Sequence, residues 1–599
     1  MVECNLPKVD VAGSIPVFRS IYKLEPKIRK TSTFSAPYFK FQVGDIMKNK
    51  NFWILFIIFA VGVILRILFL DKSCGLSYDE LVSYKQAAQP NVISTIFYTI
   101  KTDVHMPFYQ VLLHLWCKIF GLSDVAFRAF SAFCGILSII VAYFIGKELK
   151  NRVAQFLCPT LFALNSFFIY YSQEVRMYSL LMLLATLSVL SFLKIKNNTS
   201  NKWNYLGFIA ICFALINTYT IAFIYVITLI TTLFTCLVKD KQRTKHLIVS
   251  IISLAILCLP TFLFMIENPA KWTSEINGYY CDWSSLFIVI QDLFSPVLES
   301  LGNNPMHYMH SFFTTFSLIK LVFIIIPVAI GIFGLYTAIK KDRKTLTLII
   351  PSIVFLLAEI IAFKITNFKI LPRYTSVSMP ALLIATAYGF ALITNKKKLN
   401  VIFPTIFILL NLLYLLIGTN AAYKFPRIGF KPLAIAINSA NTNDGDIILV
   451  WNRKEVLDKY LNKKLFVLSI LKDFAYKSET MLSHEQEFKS MLIPQRKEIL
   501  QPYFSENKIP NNTLIVMSYI INNMQTGQKF IITASPNFIH YDKVKFKELV
   551  ENKEEYNSTS LNDLLTIKSL TDIKDICDYN LKFIEKKDAP PYTVLIYTK

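Results

Sequence analysis

The chain has 599 residues, of which 54% are hydrophobic and only 17% are charged. Water-soluble domains contain about 25% charged residues, so this composition argues against a purely cytosolic enzyme. The formal net charge of +23 is typical of a membrane protein with basic cytoplasmic loops, and it does not by itself indicate nucleic-acid binding.

The chain begins with a basic arm and continues into an apolar region. Residues 1–50 hold nine Lys or Arg residues and four acids. Eleven apolar runs follow, and runs near 20 residues are typical of transmembrane helices. They lie at about 52–70, 126–146, 153–170, 177–195, 203–217, 219–238, 246–266, 317–340, 345–364, 375–394 and 399–419. The sequence therefore predicts an α-helical polytopic membrane domain over 51–419, with about eleven transmembrane helices.

The distribution of basic residues predicts the orientation of these helices. Five alternate connections together hold 17 Lys or Arg residues and three acids, at 146–152, 194–202, 239–245, 340–344 and 395–398. Basic connections stay in the cytoplasm, so the N-terminus is predicted to be cytoplasmic. The first apolar run begins after fifty residues and is long enough to span, so no cleavable signal peptide is predicted.

Three segments are then extracytoplasmic: the loops 71–125 and 267–316 and the C-terminal part, 420–599. The apolar stretches 106–121 and 283–301 are too short or too interrupted to span, and they predict helices that lie in the membrane interface. Residues 420–599 contain short β-rich runs between polar stretches, which predicts an α/β domain. The runs are 446–451, 465–470, 512–520, 529–535 and 592–598.

Ionisable and aromatic residues gather where the predicted helices reach the extracytoplasmic side. Several have an ordinary structural explanation: acids favour helix starts, arginines extend to lipid headgroups, and a neighbouring acid and arginine can form a simple ion pair. Because charges near the membrane are costly unless they are paired or hydrated, the whole set predicts a polar cavity for an anionic substrate. The set consists of Asp79, Glu80, His105, Tyr109, Arg128, Glu174, Arg176, Tyr178, Lys369, Arg373 and Tyr374.

A series of motifs resembles the family 39 glycosyltransferases of the GT-C fold, which include protein O-mannosyltransferases and the aminoarabinose transferases that act on lipid A. The motifs are SYDEL, HMPFY, FRAFSAFCGILSIIVAYFIGKEL, YYSQEVRMYSLL and LPRYTSVSMP. The resemblance covers about residues 50–420 and is closest over 75–195. Two departures are HMPFY in place of the family's usual HPPLY, and Asn217-Thr218-Tyr219-Thr220 where a histidine is often found.

The resemblance implies an inverting sugar transfer from a polyprenyl-phosphate donor to an acceptor hydroxyl. It makes Asp79 the candidate general base, with Glu80 orienting it and Glu174 as a second acid. The residue chemistry agrees, because a hydroxyl nucleophile needs a carboxylate to take its proton and a leaving phosphate needs cations. Arg176 and Arg373 are the main candidates for the phosphate. The remaining predicted substrate-binding residues are Lys369, Arg128, His105, Tyr109, Tyr178 and Tyr374.

Two further readings and the question of a metal stay open from the sequence. Asp79, Glu80 and Glu174 could together hold Mg²⁺ or Mn²⁺, but relatives do not uniformly need one and no metal is predicted. A secondary transporter of an anionic substrate is the main alternative, although no repeated pair of interrupted helices is evident. A membrane-anchored receptor is a third, but it leaves the charged motifs of the membrane half unexplained.

The expected partners are the lipid-phosphate sugar donor, membrane lipid and a protein or glycolipid acceptor. Many Lys, Ile and Asn residues and the lack of an endoplasmic-reticulum retrieval signal favour a prokaryotic plasma (inner) membrane.

Overall fold

The structure is a computed structural model that describes residues 50–68, 70–72, 75–103, 105–197, 201–267, 326–366, 372–393, 399–424, 430–450, 459–469, 524–534, 574, 577–589 and 592–599. Several predicted features lie outside these ranges: the arm before residue 50, the interfacial helix at 283–301, the strand at 512–520 and Lys369.

Helices dominate the described residues up to 438. They are α1 (Lys50–Ile67), α2 (Tyr78–Ala87), α3 (Val92–Thr102), α4 (Phe108–Phe120), α5 (Asp124–Glu148), α6 (Arg152–Leu164), α7 (Ser166–Tyr171), α8 (Tyr178–Asn197), α9 (Lys202–Thr218), α10 (Phe223–Leu237), α11 (Lys241–Glu267), α12 (Ile326–Lys341), α13 (Leu346–Thr366), α14 (Met379–Ala391), α15 (Leu399–Lys424) and α16 (Lys431–Asn438). Short 3₁₀ turns at Thr220–Ala222, Arg343–Thr345 and Pro372–Val377 precede α10, α13 and α14.

A helix lies at each of the eleven positions predicted to span a membrane. Within the described ranges, five segments are long and apolar enough to cross by length and composition. They are Asp124–Glu148, Tyr178–Asn197, Thr220–Leu237, Lys241–Glu267 and Arg343–Ala362. Shorter apolar helical segments lie at Asn51–Ile67, Arg152–Leu164, Met379–Ala391 and Val401–Leu413. α4, the predicted interfacial helix, has 13 residues.

The run predicted to span at 153–170 is broken into two helices. Asn165 separates α6 from α7 and its side chain accepts a hydrogen bond from the Phe168 amide, which starts a new helix. The fully buried Arg66 of α1 donates to the carbonyl oxygens of Phe162 and Ala163 at 2.8 and 3.1 Å. These carbonyls end α6 and would otherwise lack partners. The break thereby supplies acceptors for both terminal nitrogens of a charged side chain in an apolar helix.

Close helix contacts hold the bundle together. α5 packs against α6 and α8, α12 packs against α14, and α10 packs against α13. A side chain at Gly389 of α14 would place its Cβ 1.7 Å from the carbonyl oxygen of Gly334 in α12. Only glycine permits that approach, and small residues at helix crossings are typical of membrane proteins.

The C-terminal part contains a mixed five-stranded sheet with strand order β2-β1-β3-β5-β4. Its strands are β1 (Ile447–Val450), β2 (Phe466–Ser469), β3 (Lys529–Ala534), β4 (Lys582–Ala589) and β5 (Tyr592–Thr598). β1 is parallel to β2 and β3, whereas β5 is antiparallel to β3 and β4. α16 covers the sheet with Leu433 and Ile437, which are buried against Ile448, Ile531 and Ile596. Four of the five predicted runs form strands here, and β4 was not predicted.

Candidate functional site

A buried ion pair fixes the segment between α1 and α2. Arg128 of α5 contacts both carboxylate oxygens of Glu80, Nε to Oε1 and Nη2 to Oε2, each at 3.0 Å. The same guanidinium donates to the carbonyl oxygens of Leu70 at 3.1 Å and Gly75 at 2.5 Å. The side chains of Arg128 and Glu80 are 0% and 2% exposed. The pair therefore ties the loop before α2 to the membrane helix α5.

Glu80 is also the third residue of α2 and completes its N-terminus. Its Oε2 accepts from the Ser77 amide at 2.8 Å, and its Oε1 accepts from the Val175 amide at 3.2 Å. Burial raises the pKa of Glu80, but Arg128, Lys72 and these hydrogen bonds outweigh it and lower the pKa to about 2. We interpret Glu80 and Arg128 as residues that shape the loop, rather than as the orienting acid and phosphate ligand expected from the sequence.

Asp79 points to a different set of partners from its neighbour Glu80. Its Oδ2 lies 3.5 Å from Nη1 of Arg373, and both side chains remain partly exposed, at 44% and 29%. Nη1 of Arg176 lies 3.5 Å from the Asp79 carbonyl oxygen and 3.5 Å from Oγ of Ser83. Three distant stretches of sequence, at 79, 176 and 373, thus meet at Asp79, Arg373 at its carboxylate and Arg176 at its backbone carbonyl oxygen.

Arg176 has more hydrogen-bonding capacity than the described residues use. Its Nε is buried without a hydrogen-bond partner in these ranges, and its two Nη1 contacts are long. Burial alone would lower its pKa, but the charges of Asp79 and Asp103 act against burial and raise the pKa above its ordinary value. Arg176 therefore retains donor capacity, within the described ranges, for an anionic group.

Glu174 lies in the tight connection between α7 and α8. Its carbonyl oxygen accepts from Oγ of Ser131 at 2.5 Å, which anchors the connection to α5. Burial and then the charge of Glu80 raise the pKa of the Glu174 carboxyl to about 8, while Lys72 and Arg373 act to lower it. The raised pKa favours the protonated form of the Glu174 carboxyl, which can donate a hydrogen bond.

The raised pKa of Glu174 predicts a measurable pH dependence. Between its ordinary pKa of 4.5 and about 8, the folded state holds a proton that the unfolded state releases, so this group's contribution to stability falls as pH rises. Glutamine cannot titrate. The unfolding temperature of Glu174→Gln relative to wild type should therefore increase from pH 5 to pH 8. A flat difference over this range would mean that Glu174 is already ionised at pH 5.

His105 lies on another side of the site, in a loop that is held by hydrogen bonds. Oδ1 of Asp103 accepts from the His105 amide at 3.0 Å, and Oδ2 accepts from Nε2 of Gln86 at 2.8 Å. Gln110 of α4 donates in turn to Gln86 at 3.1 Å. Burial lowers the pKa of His105, with Arg176 adding to the effect and Asp103 opposing it. The imidazole Nδ1 is buried and has no hydrogen-bond partner in the described ranges.

Tyr219 and Glu359 form a contact that the sequence did not assign to the site. The Tyr219 ring lies 5.7 Å from the His105 ring, and its hydroxyl donates to Oε1 of Glu359 at 3.1 Å. Glu359 is 2% exposed within α13. Tyr219 occupies the short link after α9. A carboxylate inside an apolar run was the available signal, because such residues are usually functional.

The structure brings together most of the predicted site residues. Asp79, Glu174, His105, Arg176 and Arg373 surround one region. Tyr109 and Tyr178 are buried beside it, and Tyr374 lies with its ring 5.6 Å from the Arg373 guanidinium. Lys72 was not predicted, although it is close enough to act on both Glu80 and Glu174.

The described residues contain no group of three or more His, Cys, Asp or Glu side chains that could hold a metal ion. Asp79, Glu80 and Glu174 do not form such a group. The carboxylate of Glu80 is already bound by Arg128, so this trio does not fit Mg²⁺ or Mn²⁺.

Comparisons with known proteins identify the fold. A family model described as dolichyl-phosphate-mannose-protein mannosyltransferase matches residues 104–264. ArnT from Cupriavidus metallidurans in the apo state is similar with a TM-score of 0.53 and 12% identity, over 91% of this chain and 97% of that chain. The same protein bound to undecaprenyl phosphate gives 0.53 and 12%, over 92% and 98%. No curated protein matches in a sequence search.

These similarities confirm two predictions. The chain has a GT-C fold and resembles the O-mannosyltransferases and ArnT. It is a helical polytopic membrane protein with a sheet-containing C-terminal region.

Proposed function

We propose that this chain is a membrane glycosyltransferase that moves a sugar from a polyprenyl-phosphate donor to an acceptor hydroxyl on the extracytoplasmic side, with inversion at the anomeric carbon. The family match supports a phosphate-linked lipid donor, since its description names dolichyl-phosphate-mannose. The similarity to an ArnT structure that contains undecaprenyl phosphate supports it as well.

The convergence of Asp79 with Arg176 and Arg373 carries the proposal. Inverting transfer from a phosphate needs one carboxylate and at least one cation within the span of a sugar phosphate. The acceptor oxygen forms a bond to the anomeric carbon, the bond from that carbon to the phosphate oxygen breaks, and the acceptor proton passes to Asp79. The departing phosphate takes the electron pair and is stabilised by the two guanidinium groups.

The Asp79–Arg373 contact is suited to exchange of partners. At 3.5 Å between two partly exposed side chains, it is weaker than the enclosed Glu80–Arg128 pair. A donor phosphate can therefore take Arg373 and leave the Asp79 carboxylate available for the acceptor. Glu174, whose protonated form is favoured by burial, would line the site as a hydrogen-bond donor, and His105, Tyr109, Tyr178 and Tyr374 would contact the substrates.

Arg176→Gln is expected to weaken binding of undecaprenyl phosphate about 10- to 100-fold, because it removes charge-assisted hydrogen bonds to the phosphate. Binding can be measured by displacement of a fluorescent polyprenyl phosphate from the purified protein. Arg243→Gln is the matched control, because Arg243 contacts the carbonyl oxygens of Ile195 and Lys196 at the far end of α8. Equal affinities for both variants would exclude Arg176 from the phosphate site.

Release of free undecaprenyl phosphate tests the proposed function directly. Purified protein would be incubated with undecaprenyl-phosphate mannose labelled in its polyprenyl chain, together with a membrane extract as the source of acceptor. We expect labelled undecaprenyl phosphate to form, and not to form with Asp79→Ala. A secondary transporter of an anionic substrate would move its substrate without breaking this bond, so absence of release with donors carrying several sugars would favour that alternative.

The proposed reaction also assigns places to the parts of the chain. Residues 1–50 would be a cytoplasmic arm, 51–419 the catalytic membrane domain, and 420–599 an extracytoplasmic α/β domain. The basic connections support this orientation in the plasma (inner) membrane. The acceptor would be a protein or glycolipid hydroxyl at the outer leaflet.

A further inference from the structure

The α/β domain contacts the loop that leads into α2, the helix that carries Asp79. The hydroxyl oxygen of Tyr460 accepts a hydrogen bond from the Leu76 amide at 2.8 Å and donates to Oδ2 of Asp124 at 3.0 Å. Leu76 directly precedes Ser77, the residue that caps α2. One hydroxyl group therefore joins the C-terminal domain to the start of α2 and to the first turn of α5.

Lys459 extends the same contact along α2. Its ammonium group lies 2.8 Å from Oδ1 of Asp124 and donates to the Leu122 carbonyl oxygen at 3.2 Å. It also lies 4.0 Å from the centre of the Tyr84 ring, in the second turn of α2. A cation over an aromatic face is attracted to it. Tyr460 thus contacts the loop just before α2 and Lys459 contacts α2 itself, at positions on either side of Asp79 in the sequence.

This pair of residues is firmly connected to the core of its own domain. The Tyr460 carbonyl oxygen accepts from Nδ2 of Asn438 at 2.9 Å, and Oδ1 of Asn438 accepts from the Asn462 amide at 3.0 Å. Asn438 is the last residue of α16, whose side chains Leu433 and Ile437 are buried against the sheet. The position of Tyr460 is therefore set by the α/β core.

Gly75 shows how closely the two parts approach. It has a φ of +73°, and a Cβ at this position would lie 2.8 Å from the Tyr460 hydroxyl oxygen and 2.6 Å from Cβ of Lys431. Its carbonyl oxygen is held by Arg128 on the other side. The loop is thus held between α5 and the α/β domain. Asp79 lies four residues after Gly75.

We propose that Lys459 and Tyr460 are positioning residues, which hold α2 so that the Asp79 carboxylate meets Arg373 and the acceptor hydroxyl in a productive geometry. The inference rests on the proposed function, because it concerns the orientation of Asp79, the proposed general base. It gives the α/β domain a part in the reaction that does not require it to touch either substrate.

Tyr460→Phe tests the position of α2 without any catalytic assay. The variant keeps the ring and loses only the hydroxyl, so the Leu76 amide loses its acceptor. Hydrogen–deuterium exchange in peptides covering residues 76–87 should rise in the variant. Tyr597→Phe is the matched control, since it removes a hydroxyl that donates to Asp578 at 2.7 Å within the same domain. Equal exchange at 76–87 in both variants would overturn the inference.

Kinetic measurements test whether the position of α2 affects the reaction. With undecaprenyl-phosphate mannose as donor, Tyr460→Phe should lower kcat at least about tenfold and leave the donor KM within about twofold, because misplacing a reacting group costs rate while the phosphate ligands are intact. In an Asp79→Asn background, the same change should have less than about a twofold further effect. Additive losses, or an unchanged kcat, would overturn the positioning role.

Asp124→Asn is a second variant that guards against a folding defect. Asparagine retains an oxygen for the Tyr460 hydroxyl but loses the charge opposite Lys459, so exchange at 76–87 should lie between those of wild type and Tyr460→Phe. Exchange at 76–87 equal to that of wild type would overturn the inference that Tyr460 and Lys459 hold α2. If wild-type protein releases no undecaprenyl phosphate, the proposed function fails, and the exchange comparison still decides whether Tyr460 holds α2.

Discussion

Replacing Asp79 with asparagine is expected to lower sugar transfer by about 10²- to 10⁴-fold, the usual contribution of a positioned general base. Asparagine has nearly the same shape as aspartate but cannot accept the acceptor's proton. The variant should still fold, because the Asp79 side chain is 44% exposed and the buried pair beside it is untouched. Initial rates of undecaprenyl phosphate release from undecaprenyl-phosphate mannose would measure the loss.

Binding experiments separate the role of Asp79 from a role in donor capture. Undecaprenyl phosphate should bind Asp79→Asn at least as tightly as wild type, since the change removes a negative charge that competes for Arg373. Asp71→Asn is the matched control, because Asp71 is an exposed acid in the same connecting segment. Near wild-type transfer by Asp79→Asn would exclude Asp79 as the base and make Glu174 the next carboxyl to test.

Arg128→Met is expected to produce the largest loss of stability, about 3–5 kcal/mol, because it leaves the Glu80 carboxylate buried without its ionic partner. The loop between α1 and α2 would also lose the hydrogen bonds to the Leu70 and Gly75 carbonyl oxygens. The effect would be measured as a lower midpoint of thermal unfolding for the purified protein in detergent.

The double variant Arg128→Met/Glu80→Gln isolates the ionic part of this effect. Neutralising Glu80 removes the uncompensated charge, so the double variant should recover part of the lost stability. Arg152→Met, which changes an exposed arginine at the start of α6, is the control for the substitution itself. If the double variant is no more stable than Arg128→Met, the loss arises from packing and from the carbonyl contacts rather than from the unpaired carboxylate.

The sequence predicts the helical frame well because apolar run length and basic-residue alternation are local properties. A helix lies at every predicted span, and the interruption near Tyr219 was predicted, because the runs 203–217 and 219–238 were separated there. The interruption at Asn165, inside the predicted span 153–170, was missed. Asn165 lies in an apolar stretch whose composition reads as continuous. The break depends on a capping side chain and on Arg66 from another helix, which no local pattern reveals.

The sequence predicted which residues belong to the site but not which of them contact each other. Asp79 and Glu80 are adjacent, and successive helical residues point about 100° apart, so the sequence indicates that they serve different partners without identifying them. Only the folded structure shows that Glu80 meets Arg128 of α5 and that Asp79 meets Arg373 of the turn before α14.

Two of the contacts that the sequence missed join residues far apart in the chain. Tyr219 reaches Glu359, and Tyr460 reaches Leu76, through single contacts with no surrounding motif. β4 was missed for another reason. It is rich in charged residues and lies at the edge of the sheet, where charges discourage pairing with other chains. Such a strand lacks the apolar alternation that sequence patterns detect.

The order of strands has a consequence for biosynthesis. β5 lies between β3 and β4, so the sheet cannot close until the ribosome has translated all three strands. The helices that precede the sheet leave the ribosome earlier, and protein segments generally fold as they emerge. The membrane part would therefore be inserted before Lys459 and Tyr460 can contact α2 and the loop before it. Until translation of this domain is complete, nothing from the α/β domain would hold Asp79 of the nascent chain in its final position.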